Sequence, residues 1–256
     1  MKHFFTEGKT LPEAYHKALV LLNDEGKVYP CPDYDTTMKE ISLTFHVEQA
    51  TAEPAVSKLF SGGHHELQQY VMEICDGILN FMTQVGDSYW EYTYNERFAY
   101  QLPFILDELK RNPYSRRATM NIRDFEVDSK NEHPACLQSI GLYIRDNALH
   151  MKITMRSNDA VQATFMNAFG FIALQKKLAA ELNVEVGSYT HTSYSFHAYE
   201  RSLEMLESYV ENIKTKDIAE LTFEYDGFYD GMMEDEIPAV LEMVEAQKKK
   251  HGYIKE

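Results

Sequence analysis

The feature of this sequence that most constrains its fold is a pair of alternating apolar runs followed by a long apolar segment. The two runs lie on either side of Asp146 and Asn147, as the strands of a half-buried β-hairpin do. Their apolar members are Ile140, Leu142, Ile144, Leu149, Met151, Ile153 and Met155. Residues 165–182 then follow a strongly apolar helical pattern. We expect this helix to cross the core and to be followed by a short extended piece at 184–186.

Further helices are predicted on both sides of this hairpin. Thr10 can cap a first helix, with Glu13 three positions on, and Gly26 follows its apolar stripe. The other predicted elements are a strand over 41–47, a helix from the glycine break at 61–63 to Gly77, and helices over about 100–109, 200–213 and 237–250. Helices mixed with hairpins, without a βαβ rhythm, indicate the α+β class. The length of 256 residues fits a single domain spanning 1–256.

The charge balance excludes two classes of partner. The chain has 40 acidic and 25 basic residues, a formal net charge of −15. Such a surface repels nucleic acid and anionic lipid, so we expect neither as a partner. The residues after Met1 show no secretory signal, and no apolar run has membrane-spanning length. We therefore expect a soluble, cytoplasmic protein in which a few converging arginines bind any anionic ligand.

The three cysteines, Cys31, Cys75 and Cys136, need individual explanations. They lack any C-x-x-C spacing, and their odd number argues against a disulfide framework and against a structural zinc site. We expect no metal.

Cys136 is the cysteine with the most informative surroundings. It lies just before the first hairpin strand, after Pro134, while Arg156 lies at the far end of the second strand. An antiparallel fold-back can therefore bring Arg156 close to Cys136, where it would stabilise a thiolate and could bind a phosphate. A lone cysteine is nevertheless more often a small buried apolar residue.

Several motifs, in order, resemble those of the thymidylate synthase family. The resemblance covers about 102–199 and keeps the family's spacings without insertion. Its pieces are Asn112-Pro113-Tyr114-Ser115-Arg116-Arg117, Pro134-Ala135-Cys136, Arg156-Ser157-Asn158-Asp159, Asn167, Glu185-Val186-Gly187 and His197-Ala198-Tyr199. The resemblance implies a single-domain α+β fold, with a mixed sheet packed with helices and a sheet-to-sheet homodimer.

The resemblance also implies an activity, the transfer of a one-carbon unit to C5 of dUMP. Cys136 would be the nucleophile, and 5,10-methylenetetrahydrofolate would be the co-substrate. Arg156 and Ser157 would bind the nucleotide phosphate, and Arg116 and Arg117 would reach the phosphate in the partner's site. Adjacent arginines standing alone would more often be a solvated surface pair.

The remaining matched residues would select the nucleotide and bind the folate. His197 and Tyr199 match the pair that binds the sugar 3′-hydroxyl, although they could equally form a core aromatic cluster with Phe196. Asn167 would distinguish uracil from cytosine, because a carboxamide can accept from N3–H and donate to O4; the alternative is an amide that only contacts a neighbouring helix. Asp159 would bind the pterin ring.

The proton-transfer residues are less well matched. A gapless alignment from Gly77 places Tyr70 where the family has its general-base glutamate, with Glu66 and Glu73 each about one turn away. We favour Glu73. Tyr92 matches the family's tyrosine near this end of the site.

The phosphate and folate sides depart from the family. The usual histidine after the cysteine is Leu137, and the region 34–36 offers no counterpart to an N-terminal phosphate arginine. Trp90 is the only tryptophan, and an extra helix precedes 253–256, where synthases have a short apolar tail that closes over the folate. A site that admits water would hydroxymethylate dUMP instead of methylating it. Methylation is favoured, hydroxymethylation is second, and a catalytically silent nucleotide-binding relative is third.

Overall fold

The computed structural model describes residues 1–84, 90–223 and 228–253, with the side chains of 228–230 left aside. Its strands are β1 His3–Gly8, β2 Lys27–Cys31, β3 Thr36–Val47, β4 Val56–Ser57, β5 Thr119–Asn121, β6 Leu137–Arg145, β7 Ala148–Asp159, β8 Glu185–Tyr199 and β9 Thr222–Phe223. Its α-helices are α1 Leu11–Glu25, α2 His64–Asp76, α3 Tyr94–Phe98, α4 Leu102–Arg111, α5 Phe125–Asp128, α6 Thr164–Leu182, α7 Leu203–Thr215, α8 Phe228–Asp235 and α9 Ile237–Lys250. Short 3₁₀ turns occupy Pro32–Tyr34, Asn80–Gln84, Ala99–Gln101, Glu200–Ser202 and Ile218–Leu221.

Within these described ranges, seven strands form one mixed sheet. Its order is β1, β3, β8, β7, β6, β5, and β2 pairs with β3 on the edge that β1 also uses. The strand β1 pairs with residues 42–47 of β3, and β2 pairs with residues 36–40. The strands β4 and β9 form a separate small pair. The mixed sheet with packed helices confirms the predicted α+β class.

Two parallel pairs in this sheet contradict the expected absence of βαβ units. The helix α6 connects β7 to β8, and the path from β1 to its parallel neighbour β3 passes through α1 and β2. The strand β8 spans fifteen residues, where the sequence indicated only a short extended piece. Its buried side carries Tyr189, His191 and Ser193, and its other side carries Thr190, Thr192 and Tyr194, so the strand lacks the apolar alternation by which strands are recognised.

The hairpin that the alternating runs predict is confirmed as β6 and β7. Asp146 and Asn147 form its turn with φ values of 51° and 59°. Two consecutive positive φ values are what a tight two-residue hairpin turn requires, and Asn and Asp tolerate them better than other non-glycine residues do. The helix α6 packs against this hairpin and buries Phe165, Phe171 and Leu174, as its apolar pattern predicts.

The predicted helix ends agree with the structure to within a few residues. The Thr10 side chain accepts from Glu13 N at the start of α1, although the Glu13 carboxylate binds Lys9 N instead of closing a capping box. Gly77 ends α2 with a φ of 64°, and a Cβ there would lie 2.4 Å from Asn80 Nδ2. The helices predicted from about 100 and 200 begin at 102 and 203, because each starts with a 3₁₀ turn.

The two faces of the main sheet differ in chemistry. On one face, apolar side chains of β3, β6 and β7 are buried under α1 and α6. On the other, half-buried polar side chains bond to each other across strands, with Thr44 Oγ1 3.0 Å from Thr192 Oγ1 and His46 Nδ1 2.9 Å from Thr190 Oγ1. We call this the polar sheet face.

The two C-terminal helices pack beside α2, where His65 Nδ1 lies 3.0 Å from Glu236 Oε2. Val244 of α9 joins a small second apolar cluster with Leu79, Phe81 and Met82. None of the described helices is long and apolar enough to span a membrane.

Candidate active site

A cavity of about 920 Å³ opens where the ends of β3, β7 and β8 meet α2 and the loop before β6. Its walls come from segments 31–38, 70–74, 90–94, 131–136, 155–159, 163–167 and 195–199. This volume lies near the upper end of the range for ligand pockets. The cavity therefore has room for a ligand of nucleotide size together with a second one.

Cys136 and Arg156 meet at this cavity, as the fold-back of the hairpin predicts. Arg156 N donates to Cys136 O at 2.8 Å, which fixes the two backbones side by side. The Arg156 guanidinium donates from Nη2 to Pro134 O at 2.6 Å and from Nε to Ala135 O at 3.2 Å. Because Arg has five N–H donors, three of them remain for a ligand. Arg156 thus anchors the loop over 131–136 that contains Cys136, which we call the cysteine loop. Its three other N–H groups remain able to bind a ligand.

The pKa of the Cys136 thiol is set by opposing influences. Burial raises it, whereas the positive charge of Arg156 and a hydrogen bond with Tyr92 lower it. Burial is the largest influence, so the pKa lies above its ordinary value. Arg156 acts in the expected direction but does not overcome burial, and the group is a thiol at neutral pH.

Tyr92 lies against Cys136 and touches both its backbone and its thiol. Burial raises the pKa of Tyr92 to about 12, and the ring of Tyr94 lies 5.5 Å away. A phenol with such a pKa stays protonated and can donate a hydrogen bond to a sulfur or to a reacting oxygen.

The structure separates the two candidate glutamates of α2. Glu73 lines the cavity beside Tyr70, while Glu66 is exposed at the start of the helix and accepts from Gly63 N at 2.8 Å. Burial raises the pKa of Glu73, opposed by a 2.7 Å hydrogen bond from Gln69 Nε2. A partly buried carboxyl that keeps its proton closer to neutral pH suits acid–base chemistry. The geometry favours Glu73.

Asn167 projects from the first turn of α6 and is almost fully buried at the cavity wall. Its Oδ1 accepts from Asn158 Nδ2 at 2.8 Å, and its Nδ2 donates to the Tyr70 hydroxyl. Asn158 lies on β7 within the R-S-N-D segment, and the sequence gives no reason to single it out. A carboxamide has two donors and two acceptor sites, so Asn167 can still offer one of each to a ligand.

His197 and Tyr199 line the same cavity from the end of β8, with their rings edge to face at 4.8 Å. His197 is only 2% exposed, and burial lowers its pKa. Its Nε2 is buried and has no hydrogen-bond partner among the described residues. Since buried polar atoms are nearly always paired, this nitrogen is available to bond to a ligand atom. Phe196, by contrast, is fully buried in the core.

Asp159 and Ser157 complete this wall at the end of β7. Asp159 Oδ1 accepts from the backbone N–H of Val161 and of Gln162, each at 3.0 Å. These bonds begin the turn into α6 and leave Oδ2 without a donor from the described residues. Asp159 can therefore receive a ligand N–H.

Arg116 and Arg117 are the two predicted site residues that the structure does not bring to the cavity. Both are exposed on the loop after α4, where Arg117 Nη1 lies 4.0 Å from Glu108 Oε1. Within one chain, neither lines the cavity.

The lining of the cavity also includes Trp90 and three acidic residues, Asp33, Glu91 and Glu132. The Glu91 carboxylate accepts from Glu132 N at 3.1 Å and from His133 N at 2.8 Å, which ties the cysteine loop to the Trp90 segment. The sequence does not predict this contact, since no motif near Glu91 indicates that its side chain binds the backbone at 132–133. Residues 254–256 of the unusual terminus lie outside the described residues.

No group of three or more His, Cys, Asp or Glu side chains in the described part of the chain is arranged to bind a metal ion.

Comparison with known proteins places these features in a family context. The sequence profile described as thymidylate synthase matches residues 61–238. A protein of Methanocaldococcus jannaschii, provisionally named thymidylate synthase, is 28% identical over 208 residues, covering 78% of this chain and 93% of that protein. The deoxyuridylate hydroxymethyltransferase of Pseudomonas phage M6 is 32% identical over 149 residues, 56% of this chain and 42% of that protein. The thermostable thymidylate synthase A of Bacillus subtilis superposes with a TM-score of 0.65 at 17% identity, covering 84% of this chain and 86% of that one.

Proposed function

The chain belongs to the thymidylate synthase family, and from this we propose that it transfers a one-carbon unit from 5,10-methylenetetrahydrofolate to C5 of dUMP, giving dTMP and dihydrofolate. One observation carries the proposal: Cys136 lies between Tyr92 and Arg156 in a cavity that also contains Asn167 and His197. The residues proposed as the nucleophile, the phosphate-binding group, the base-reading amide and the sugar-binding group thus line one cavity.

The chemistry explains why a cysteine is needed. Carbon C5 of uracil is a weak nucleophile, so the Cys136 thiolate adds to C6 and C5 gains the electron density to form a new bond. After that bond forms, the proton on C5 is removed, with Glu73 as the proposed carboxyl on the relay. Loss of this proton would break the bond between the transferred carbon and the folate nitrogen, a hydride from the folate would reduce that carbon to a methyl group, and the Cys136–C6 bond would break to return the thiolate. Tyr92 keeps a phenol donor beside the sulfur throughout.

The nucleotide would be bound by residues at several strand ends. Arg156 and Ser157 offer donors to the phosphate at the end of β7. The unpaired Nε2 of His197 and the Tyr199 hydroxyl are available to the sugar 3′-hydroxyl. Asn167 would recognise the uracil edge, because its side chain can still donate one hydrogen bond and accept another.

The co-substrate would lie over the nucleotide, toward Trp90. Oδ2 of Asp159 suits the N–H groups of a pterin ring, and Trp90 offers an aromatic surface. When bound, the folate supplies the one-carbon unit and the hydride; Asp159 orients its ring. The residues present fit this co-substrate.

We further propose a homodimer formed through the polar sheet face, with Arg116 and Arg117 serving the partner's phosphate. Both arginines are exposed and outside the cavity of their own chain, which supports a role in another one.

Hydroxymethylation of dUMP is the second candidate. In that reaction water instead of hydride attacks the exocyclic carbon, and tetrahydrofolate is released. The similarity to the phage deoxyuridylate hydroxymethyltransferase favours this alternative, as does an acidic folate side with a single tryptophan.

The deciding experiment incubates the protein with dUMP and methylenetetrahydrofolate, follows dihydrofolate by absorbance and determines the nucleotide product by mass. We expect dTMP and an equal amount of dihydrofolate. Hydroxymethyl-dUMP without dihydrofolate would favour the second candidate, and unchanged dUMP would reject both.

Replacing the nucleophile tests the mechanism itself. Cys136→Ser should lower turnover by at least about 10³-fold, because a serine hydroxyl is a far poorer nucleophile, while dUMP binding persists. Cys75→Ser is the matched control. Burial raises the pKa of Cys75 to about 12, and this residue does not line the cavity. Turnover by Cys136→Ser at the rate of the unmodified protein would refute covalent catalysis.

A further inference from the structure

Behind Asn167, a line of buried side-chain hydrogen bonds runs from the cavity into the core. Asn158 Nδ2 donates to Asn167 Oδ1 at 2.8 Å, and His191 Nε2 lies 2.9 Å from Asn158 Oδ1. The Tyr189 hydroxyl lies 2.9 Å from His191 Nδ1. We call these four residues the core relay. His191 and Tyr189 are fully buried, and neither lines the cavity.

Each bond of the core relay determines the direction of the next. Asn158 gives its N–H to Asn167, so its Oδ1 faces His191 and must accept a proton from Nε2. Burial lowers the pKa of His191 to about 3, so the ring is neutral and only one of its nitrogens donates. Nδ1 is therefore an acceptor, and it receives the proton of Tyr189.

Thr164 is compatible with the same direction. Its hydroxyl lies 2.8 Å from Asn158 Oδ1, which it can reach as a donor, and 2.9 Å from the backbone oxygen of Asp159. Thr164 has a single hydroxyl proton, so it donates to one of these two oxygens; when it donates to Asn158 Oδ1, it joins His191 as a second donor to that atom. The Asn158 amide is held with its N–H toward Asn167.

The direction matters because a carboxamide can read two opposite patterns. Uracil presents an N3–H donor and an O4 acceptor, whereas cytosine presents an N3 acceptor and an amino donor. An Asn167 amide free to turn by half a rotation could serve either base. In the observed orientation its oxygen faces Asn158 and its NH₂ group faces Tyr70.

We propose that the core relay locks the orientation of the Asn167 amide and so makes the site select uracil over cytosine. Tyr189, His191 and Asn158 are then positioning residues, which determine specificity through Asn167. This inference depends on the proposed nucleotide site, but not on which one-carbon reaction follows.

The first test is Tyr189→Phe, which removes only the hydroxyl at the inner end of the core relay. His191 Nδ1 loses its donor, the ring can take either tautomer, and the amides can reverse. We expect the ratio of dUMP to dCMP affinity, measured by calorimetry without folate, to fall about tenfold, the equivalent of one buried hydrogen bond. Tyr15→Phe is the matched control. Its hydroxyl is also buried and donates to Ala160 O at 2.8 Å, outside the core relay, so the ratio should not change.

The second test is Asn158→Asp, which is isosteric but removes the N–H that Asn167 accepts. Asn167 must then turn its NH₂ group toward residue 158. We expect the affinity ratio to move toward dCMP by more than in Tyr189→Phe. An unchanged ratio in both folded variants would overturn the inference.

A third measurement needs no variant. Heteronuclear NMR of the imidazole nitrogens should show His191 protonated at Nε2 and unprotonated at Nδ1. The opposite tautomer would overturn the inference by itself. If the unmodified protein shows no turnover but the variants lose dUMP selectivity as expected, the proposed reaction is rejected and the inference about the core relay is kept. If the unmodified protein turns over dUMP normally but the variants keep its affinity ratio, the reaction is kept and the inference is rejected.

Discussion

At the residue scale, the reactivity of the site depends on how far Cys136 is deprotonated. Burial raises its pKa, while Arg156 and Tyr92 lower it. The thiolate fraction should therefore be small at neutral pH. As long as the pH is below the pKa, this fraction should increase about tenfold for each unit by which the pH is raised.

This balance predicts a pH-dependent alkylation rate. The rate of iodoacetamide modification of Cys136, followed by peptide mass spectrometry, should rise steadily from about pH 7 to about pH 9, because only the thiolate reacts. Arg156→Gln removes the neighbouring positive charge, raises the pKa further and should slow modification at fixed pH several-fold. Arg145→Gln, at the hairpin turn, should not. A rate independent of pH would contradict the raised pKa.

Sequence reasoning at this scale succeeds for Cys136 and Arg156, because one hairpin determines both positions. It fails for Asn158, Glu91 and Tyr70, whose hydrogen bonds join different segments of the packed chain. It also misses the net direction of the Cys136 pKa, since burial is a property of the packed chain and not of neighbours in sequence.

At the element scale, α2 places two glutamates in different surroundings. Glu73→Gln should lower the release of tritium from C5-labelled dUMP by about 10²- to 10⁴-fold, the usual contribution of a general acid–base group. Glu66→Gln should leave that release unchanged and lower the free energy of unfolding by at most about 1 kcal/mol, through a weaker helix start. A normal rate in Glu73→Gln would reassign the proton relay.

The contact between α2 and α6 depends on a glycine. A Cβ at Gly170 would lie 2.7 Å from Cδ1 of Tyr70, the residue that bonds Asn167. Gly170→Ala should push this ring aside, weaken dUMP binding and destabilise the fold by about 1 to 3 kcal/mol.

Gly231 provides the matched control for this substitution. A Cβ at Gly231 of α8 meets no described atom within 4 Å, so Gly231→Ala should raise stability by up to about 1 kcal/mol. Thermal unfolding and calorimetry with dUMP measure both effects. Equal effects of the two substitutions would show that Gly170 is not needed for close packing.

Helices and strands with a regular apolar periodicity, or with a residue that clearly ends them, are predictable from this sequence, and the other elements are not. The helix α9 and the β6–β7 hairpin lie where the sequence predicts them. The central strand β8 does not, because its partners β3 and β7 bury it on both edges while its side chains remain largely polar. Strand pairing over such distances is determined by tertiary contacts that no local pattern encodes.

At the scale of the whole molecule, the proposed dimer would make each site depend on two chains. Mixing Cys136→Ser with a chain in which Arg116 and Arg117 are both Ala should restore activity, because one site of each mixed dimer has every residue intact. Random exchange makes half of the dimers mixed, so about a quarter of the normal activity should return. Sedimentation would verify the dimer, and mixing without recovery would show that the arginines do not act across subunits.

The core relay has a consequence for how such a protein could change its substrate. The codons for Asn and Asp differ by a single base, and at Asn158 this exchange keeps the side-chain shape while it reverses the order of donors and acceptors that reaches Asn167. A lineage could therefore move from uracil to cytosine nucleotides by one point mutation at Asn158, without repacking the core and without changing Asn167. Substrate identity would then be inherited through proton positions as much as through the shape of the cavity.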